Sequence, residues 1–197
     1  QHYRWLVSSF NSGVKLMKIA VDAGHGGKDP GASVNGVLEK EVNLSIARIL
    51  KDKLAENGHE VIMTRNDDTL EGLYHRAQLA NEKDCDIFVS IHNNAAGNES
   101  AAGSEVLYYP ESKNGRQLAH CIQKEQVKAL DRPDRGLKPD DDFVVLNSTI
   151  MPAVIVESLF ITNPIDRDML SKKEYLFVIA EAIKAGIVEY DGIVGGE

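Results

Sequence analysis

The sequence predicts a single three-layer α/β domain, a mostly parallel central sheet with helices on both faces. Three observations predict it. Short, almost wholly apolar runs such as DIFVSIH (86–92) and PAVIVES (152–158) read as strands buried on both faces. Between the strand-like runs lie segments whose apolar residues recur at helical spacing, and strands alternating with helices make a parallel sheet. The chain has 197 residues, 43% of them hydrophobic, which suits one core, and no low-complexity linker divides it.

In chain order, residues 1–16 (QHYRWLVSSFNSGVKL) stand apart. Their WLV and isolated Phe10 are too little for the signal-peptide core of about 7–15 residues, so no signal peptide is visible. This segment reads as a leader or a remnant of expression, 17–191 as the domain proper and 192–197 as a C-terminal tail. MKIAVDA (17–23) is a first strand that runs into glycines. EVNLSIARILKDKLAENG (41–58) is a helix with Val42, Ile46, Ile49, Leu50 and Leu54 on one face and Gly58 as its stop. HEVIMTR (59–65) is a strand, and 70–84 a helix with Leu73, Ala77 and Ala80 along one side. DIFVSIH is so apolar that it belongs at the sheet's centre. SEVLYY (104–109) is a strand and about 113–130 a helix. DRPDRGLKPDDD (131–142) reads as a solvated loop or as the border of a substrate groove. FVVL and the buried strand PAVIVES follow. Ser171 and Glu174 have the spacing of a capping box opening a last helix, with Leu176, Ile179, Ala180, Ile183 and Ile187 facing the core.

Charge and composition exclude several classes. Lys plus Arg total 22 against 30 Asp plus Glu, a net charge of -8, where a nucleic-acid partner needs a basic face. No apolar run reaches the roughly 18 residues of a membrane span. The two cysteines, Cys85 and Cys121, lack CxxC spacing and read as small buried hydrophobes. A monomer is expected.

Folds of this type carry their chemistry beyond the carboxyl ends of the strands, and polar groups gather there. The first strand runs into His25 within VDAGHGGKDPGA, the third ends in His92, and Glu157 sits among apolar residues in PAVIVESLF. A carboxylate in such a run costs several kcal/mol unless it is paired or used; a structural ion pair is the alternative. Glu39, taken alone, is an ordinary acid at a helix start. The glycine-rich loop from His25 to Glu39 can nevertheless fold it back over the first strand's tip. Two imidazoles and one carboxylate are a known catalytic zinc set with an open position for water. A second, non-ligating carboxylate, Glu157, then serves as general base. The glycines flanking His25 are expected to let a metal and a bulky substrate approach the backbone. His2, His59, His75 and His120 stand outside this set.

With these residues in place, the chain resembles the zinc-dependent N-acetylmuramoyl-L-alanine amidases of the amidase-3 family. The resemblance rests on DAGHGGKDPGA, LEKEVNL, TRNDD, Arg76, VSIHNNA, GSEVLYY and PAVIVESLFITN, and spans about residues 17 to 190. It implies hydrolysis of the amide between N-acetylmuramic acid and L-alanine in peptidoglycan. It implies one Zn²⁺ held by His25, Glu39 and His92, with Glu157 as the catalytic glutamate. By position Asn94, Arg65 and Arg76 are candidate substrate contacts; Asn94 could instead form a turn, and the arginines could pair with Asp67 and Asp68. Some family members carry an inserted helix that plugs the site, whereas VSIHNNAAGNESAAGSEVLYY passes between strands with only a short loop. The implied place of action is the cell wall, reached by secretion or, for a phage endolysin, on release from the cytoplasm. Three rivals remain: a zinc peptidase cutting stem peptides, a non-catalytic wall-binding module, and a nucleotide-binding domain. The last lacks the GxGxxG spacing.

Overall fold

The computed structural model describes residues 16–195. Strand β1 (Lys18–Ala23) is followed by a small antiparallel pair, β2 (Ser33–Val34) and β3 (Val37–Leu38), that turns the chain back into helix α1 (Glu39–Glu56). Then come β4 (Glu60–Met63), α2 (Leu73–Glu82), β5 (Ile87–Asn94), β6 (Ser104–Tyr108), α3 (Lys113–Leu130), β7 (Asp134–Pro139), α4 (Val144–Asn147), β8 (Ala153–Phe160), α5 (Pro164–Leu170) and α6 (Lys173–Val194). The six long strands form one sheet in the order β4-β1-β5-β8-β6-β7. β4, β1, β5 and β8 are mutually parallel; β6 runs antiparallel to β8, and β7 runs parallel to β6.

Period-two alternation sorts the strand residues into two cores. Val21, Val89, Val106, Val154 and Val156 face α1, α3 and α6 in the larger core. Ala20, Phe88, Leu107 and Ile155 face the other way, against α2 and α4. The expected three-layer architecture is therefore present. Because β6 is reversed, the carboxyl ends of β1, β5 and β8 share an edge with its amino end. The loop 95–103 joins β5 to β6 along that edge, pinned where Ala96 N–H donates to Thr162 Oγ1 and Asn163 Nδ2 donates to the Glu99 carbonyl.

Several expectations need correction. The stretch 131–142 is not simply a loop, since residues 134–139 form the edge strand β7; pairing with β6 overrides the weak strand propensity of Asp, Arg, Gly, Lys and Pro. No capping box opens α6. Its N-cap is Lys172, without a side-chain cap, because Ser171 ends the preceding helix α5 and its hydroxyl donates to the Asp168 carbonyl. Helix α5 went unforeseen, though Asn163 caps it and Pro164 opens it. Helix α6 runs to Val194, past the expected boundary at 191, because Tyr190 and Asp191 are still buried. Leu73 is exposed while Arg76 takes the inner face of α2. Cys85 and Cys121 are buried and free. Residues 1–15 of the expected leader, and 196–197 of the tail, lie outside the described residues.

Helices α3 and α6 pack closely at Gly186. A Cβ there would lie 2.5 Å from Ile122 Cα and 2.8 Å from the Cys121 carbonyl, both backbone atoms that cannot swing aside. Gly186→Ala is expected to lose about 1–3 kcal/mol, the usual cost of overpacking, despite alanine's better helix propensity. The denaturant midpoint checks this, and a midpoint at or above wild type contradicts it.

Candidate active site

The polar residues predicted at strand ends converge at the shared edge. The tip of β1 carries His25 in the left-handed region (φ 62°), with Nδ1 held 2.8 Å from Asp29 Oδ2. Its Nε2 lies 3.1 Å from Glu39 Oε2, and His92 Nδ1 lies 3.0 Å from Glu39 Oε1. The candidate ligand atoms of His25, Glu39 and His92 all lie within 4.8 Å of one another. Glu39 is buried and fixed from behind: Ala32 N–H donates to Oε2, while Asn43 Nδ2 and Asn93 N–H donate to Oε1. A nitrogen–nitrogen–oxygen donor set with one histidine steered by a carboxylate suits a divalent metal.

Close packing within the site itself requires these glycines. A Cβ on Gly24 would fall inside the His92 imidazole, and one on Gly31 (φ 63°) would strike both Glu39 and His25. Gly26 would meet the Thr69 carbonyl. Glycine here makes room for the site's own side chains and the neighbouring loop.

His25, His92 and Glu157 line one cavity of about 400 Å³, to which Leu70, Leu73 and Phe143 add apolar lining. A wider hollow of about 540 Å³, around Tyr109 and Ile150, contains none of the predicted residues. Glu157 is the registered neighbour of His92 on β5 and of Glu105 on β6. Its Oε2 is buried without a hydrogen-bond partner among the described residues. Burial, with the like charges of Glu39 and Glu105, pushes its carboxyl up to about 7 despite the attraction of His92. A carboxyl titrating there can take and return a proton near neutral pH. Burial opposes a charge on His25, but Glu39 and Asp29 outweigh it and raise its imidazole to about 9. Burial likewise opposes a charge on Glu39, and the two histidines hold it well below the ordinary carboxylate range.

Arg65 and Arg76 lie in the interior. Arg65 donates to the carbonyls of Ala23, Gly24, Lys40 and Asp67; Arg76 donates to those of Ala23, His25 and Glu71 and forms a 2.7 Å ion pair with Asp22. That is the geometry of two braces behind the β1 tip, although Arg76 also borders the cavity. Their expected partners differ: Asp67 offers Arg65 its carbonyl, and Asp68 pairs with Lys40. Asn94 Nδ2 donates to Glu105 Oε1 while its own Oδ1 accepts from Ala95 N–H, a turn-like contact.

Sequence reasoning passed over Asp22, Ser90 and Thr64. Both hydroxyls donate to the fully buried Asp22 carboxylate; burial opposes its charge, and Arg76 with these hydroxyls keeps it below its usual range. The signal was available, since Asp22 interrupts an apolar strand just as Glu157 does.

The sequence profile described as N-acetylmuramoyl-L-alanine amidase (Amidase_3) matches residues 19–189. The chain belongs to this amidase family. It is 42% identical over 174 residues to the uncharacterised protein YqiI of Bacillus subtilis (strain 168), covering 87% of this chain and 84% of that one. It is 40% identical over 174 residues to the N-acetylmuramoyl-L-alanine amidase LytC of the same organism, covering 87% of this chain but only 35% of LytC. The crystal structure of an N-acetylmuramoyl-L-alanine amidase from Clostridium difficile 630 superimposes with a TM-score of 0.85 at 34% identity, covering 89% of this chain and 96% of that one. Among the described residues of this amidase no helix is long and apolar enough to cross a membrane.

The titrations give a sign for the metal-free protein. His25 moves from 6.5 to about 9 on folding, so its contribution is full below pH 6.5 and lost as pH rises towards 9. Glu157 moves from 4.5 to about 7, so the fold also weakens as pH rises between those values. With chelator present, the denaturant midpoint is expected to fall from pH 6.5 to 9; a flat or rising midpoint contradicts these assignments.

Proposed function

We propose that this amidase domain hydrolyses the amide between the lactyl group of N-acetylmuramic acid and L-alanine in peptidoglycan, using one zinc ion held by His25, Glu39 and His92. The observation that carries the reading is Glu157: a half-buried acid in an apolar strand, one oxygen without a partner among the described residues, lining the same cavity as both histidines. His25 offers Nε2, because Asp29 occupies Nδ1, and His92 offers Nδ1, because its other edge packs against Gly24.

A divalent cation bound there would supply Lewis acidity, polarising the carbonyl and lowering the pKa of a water towards neutrality. The remaining work falls to the protein's own groups. Glu157 accepts a proton from the attacking water as its oxygen bonds to the lactyl carbonyl carbon. It then delivers that proton to the alanine nitrogen as the C–N bond breaks. The products are a lactyl carboxylic acid and a peptide with a free amino terminus. Asp29, Asn43 and Asn93 fix the ligands. Arg65 and Arg76 hold the backbone from which His25 projects, and Asn94 steadies the neighbouring acid Glu105 rather than a substrate. The apolar wall of Leu70, Leu73 and Phe143 helps exclude water from the reacting amide. The protein acts on the cell wall as a monomer, whether delivered by secretion or by phage release.

Product analysis tests the reaction. Mass spectrometry of digested peptidoglycan is expected to show peptides with a free L-alanine amino group and intact glycan strands, and nothing after chelation. Fragments cut within the stem point to a peptidase instead. Glu157→Gln is expected to keep its metal while turnover falls at least about 10²–10⁴-fold. His92→Ala should lose metal on dialysis together with activity. Near-wild-type lysis by the first variant, or full metal retention by the second, rejects the corresponding role.

A further inference from the structure

Edge strand β7 carries an irregularity beside the site. Ser104 pairs with Asp134 and Val106 with Leu137, so Glu105 faces two residues, Arg135 and Gly136. This is a β-bulge, with Gly136 at φ 75°, and bulges re-aim side chains. Here the bulge sends Arg135 across β6: its Nε donates to Glu105 Oε2 at 2.9 Å, and its guanidinium carbon lies 4.7 Å from the centre of the Phe160 ring on β8. The side chain thus crosses a whole strand to reach a ring three residues beyond Glu157. Glu105 is itself buried, with its other oxygen held by Asn94, so the clamp is fixed at both ends. Nη1 and Nη2 of Arg135 make no hydrogen bond among the described residues, and its side chain is 37% exposed. An exposed ion pair formed only for charge needs neither a buried acid nor an aromatic platform. A guanidinium pinned at Nε over a ring presents its outer fork in a fixed direction, which suits a carboxylate.

We propose that Arg135 binds a carboxylate of the departing peptide, so that the preferred substrate is a stem whose second residue keeps a free α-carboxylate instead of an amidated one. The inference rests on the muramoyl-alanine amidase reading of the cleft, which places the alanine nitrogen at Glu157 and the peptide beyond it. The lengths agree. Two residues of extended peptide reach about 7 Å, and a bulge in β8 sets Glu157 and Phe160 beside His92 and Asn94, only two residues apart on β5 at about 3.3 Å per residue. With a net charge of -8, the protein as a whole repels carboxylates, so an acidic stem needs a local donor.

The test uses the zinc-loaded protein and two synthetic muramyl tripeptides that differ only in whether the second residue's α-carboxyl is free or amidated. Wild type is expected to favour the free acid about tenfold in kcat/KM, the scale of one charge-assisted contact. In Arg135→Gln that ratio should collapse towards one, whereas a merely structural disturbance lowers both rates together and leaves the ratio standing. Equal cleavage by wild type, or an unchanged ratio in the variant, overturns the role of Arg135 and leaves the amidase reading intact. Cleavage of neither compound at the lactyl amide overturns both. If Arg135→Gln fails to fold, the wild-type ratio at about 50 and 500 mM salt decides: an ion pair at a part-exposed site requires it to shrink severalfold, and a fixed ratio overturns the proposal.

Discussion

The buried carboxylate of Glu39, gripped between two imidazoles, is the contact on which the catalytic edge depends. It belongs to the first turn of α1 yet touches the tip of β1 and the end of β5, so three segments distant in sequence are tied at one point. Burial alone would make this acid costly. Its site is tolerable because each oxygen has backbone or amide donors as well as an imidazole. The short β2–β3 pair serves the same end, since it returns the chain so that α1 starts against the tip of β1.

Beneath that contact lies a second buried charge, Asp22 with Arg76. A lone pair of this kind is weak support for stability. Its value here is geometric. Arg76 and Arg65 together collect the carbonyls of Ala23, Gly24 and His25, which point inward because the chain turns sharply into the left-handed region at His25. The Gly24 carbonyl also accepts from Asn43 Nδ2, while the arginines supply the side-chain donors to Ala23 and His25.

Much of this could be read in advance, for one reason. A polar residue inside an apolar strand needs an explanation, and His25, His92 and Glu157 all stood out on that ground; Asp22 and Ser90 carried the same mark. Glu39 needed the glycine-rich loop before it as a further sign, because an acid opening a helix is unremarkable by itself. The arginines were visible, but their partners are backbone carbonyls, which residue identity does not encode. Arg135 was hidden among turn-forming and charged residues, and only its pairing with β6 makes β7 a strand. Helix α5 is short, with too few turns to show a period, and it displaced the expected start of α6.

The reversal of β6 has a consequence for how such a domain can change. Since β5 leaves the sheet and β6 re-enters it at one rim, the loop 95–103 never has to cross a face of the domain. Extra residues spliced there would pile up above the cleft and leave every strand in register. The fold thus provides a mounting point, where a cover can be grafted or trimmed without reopening the hydrophobic layers below.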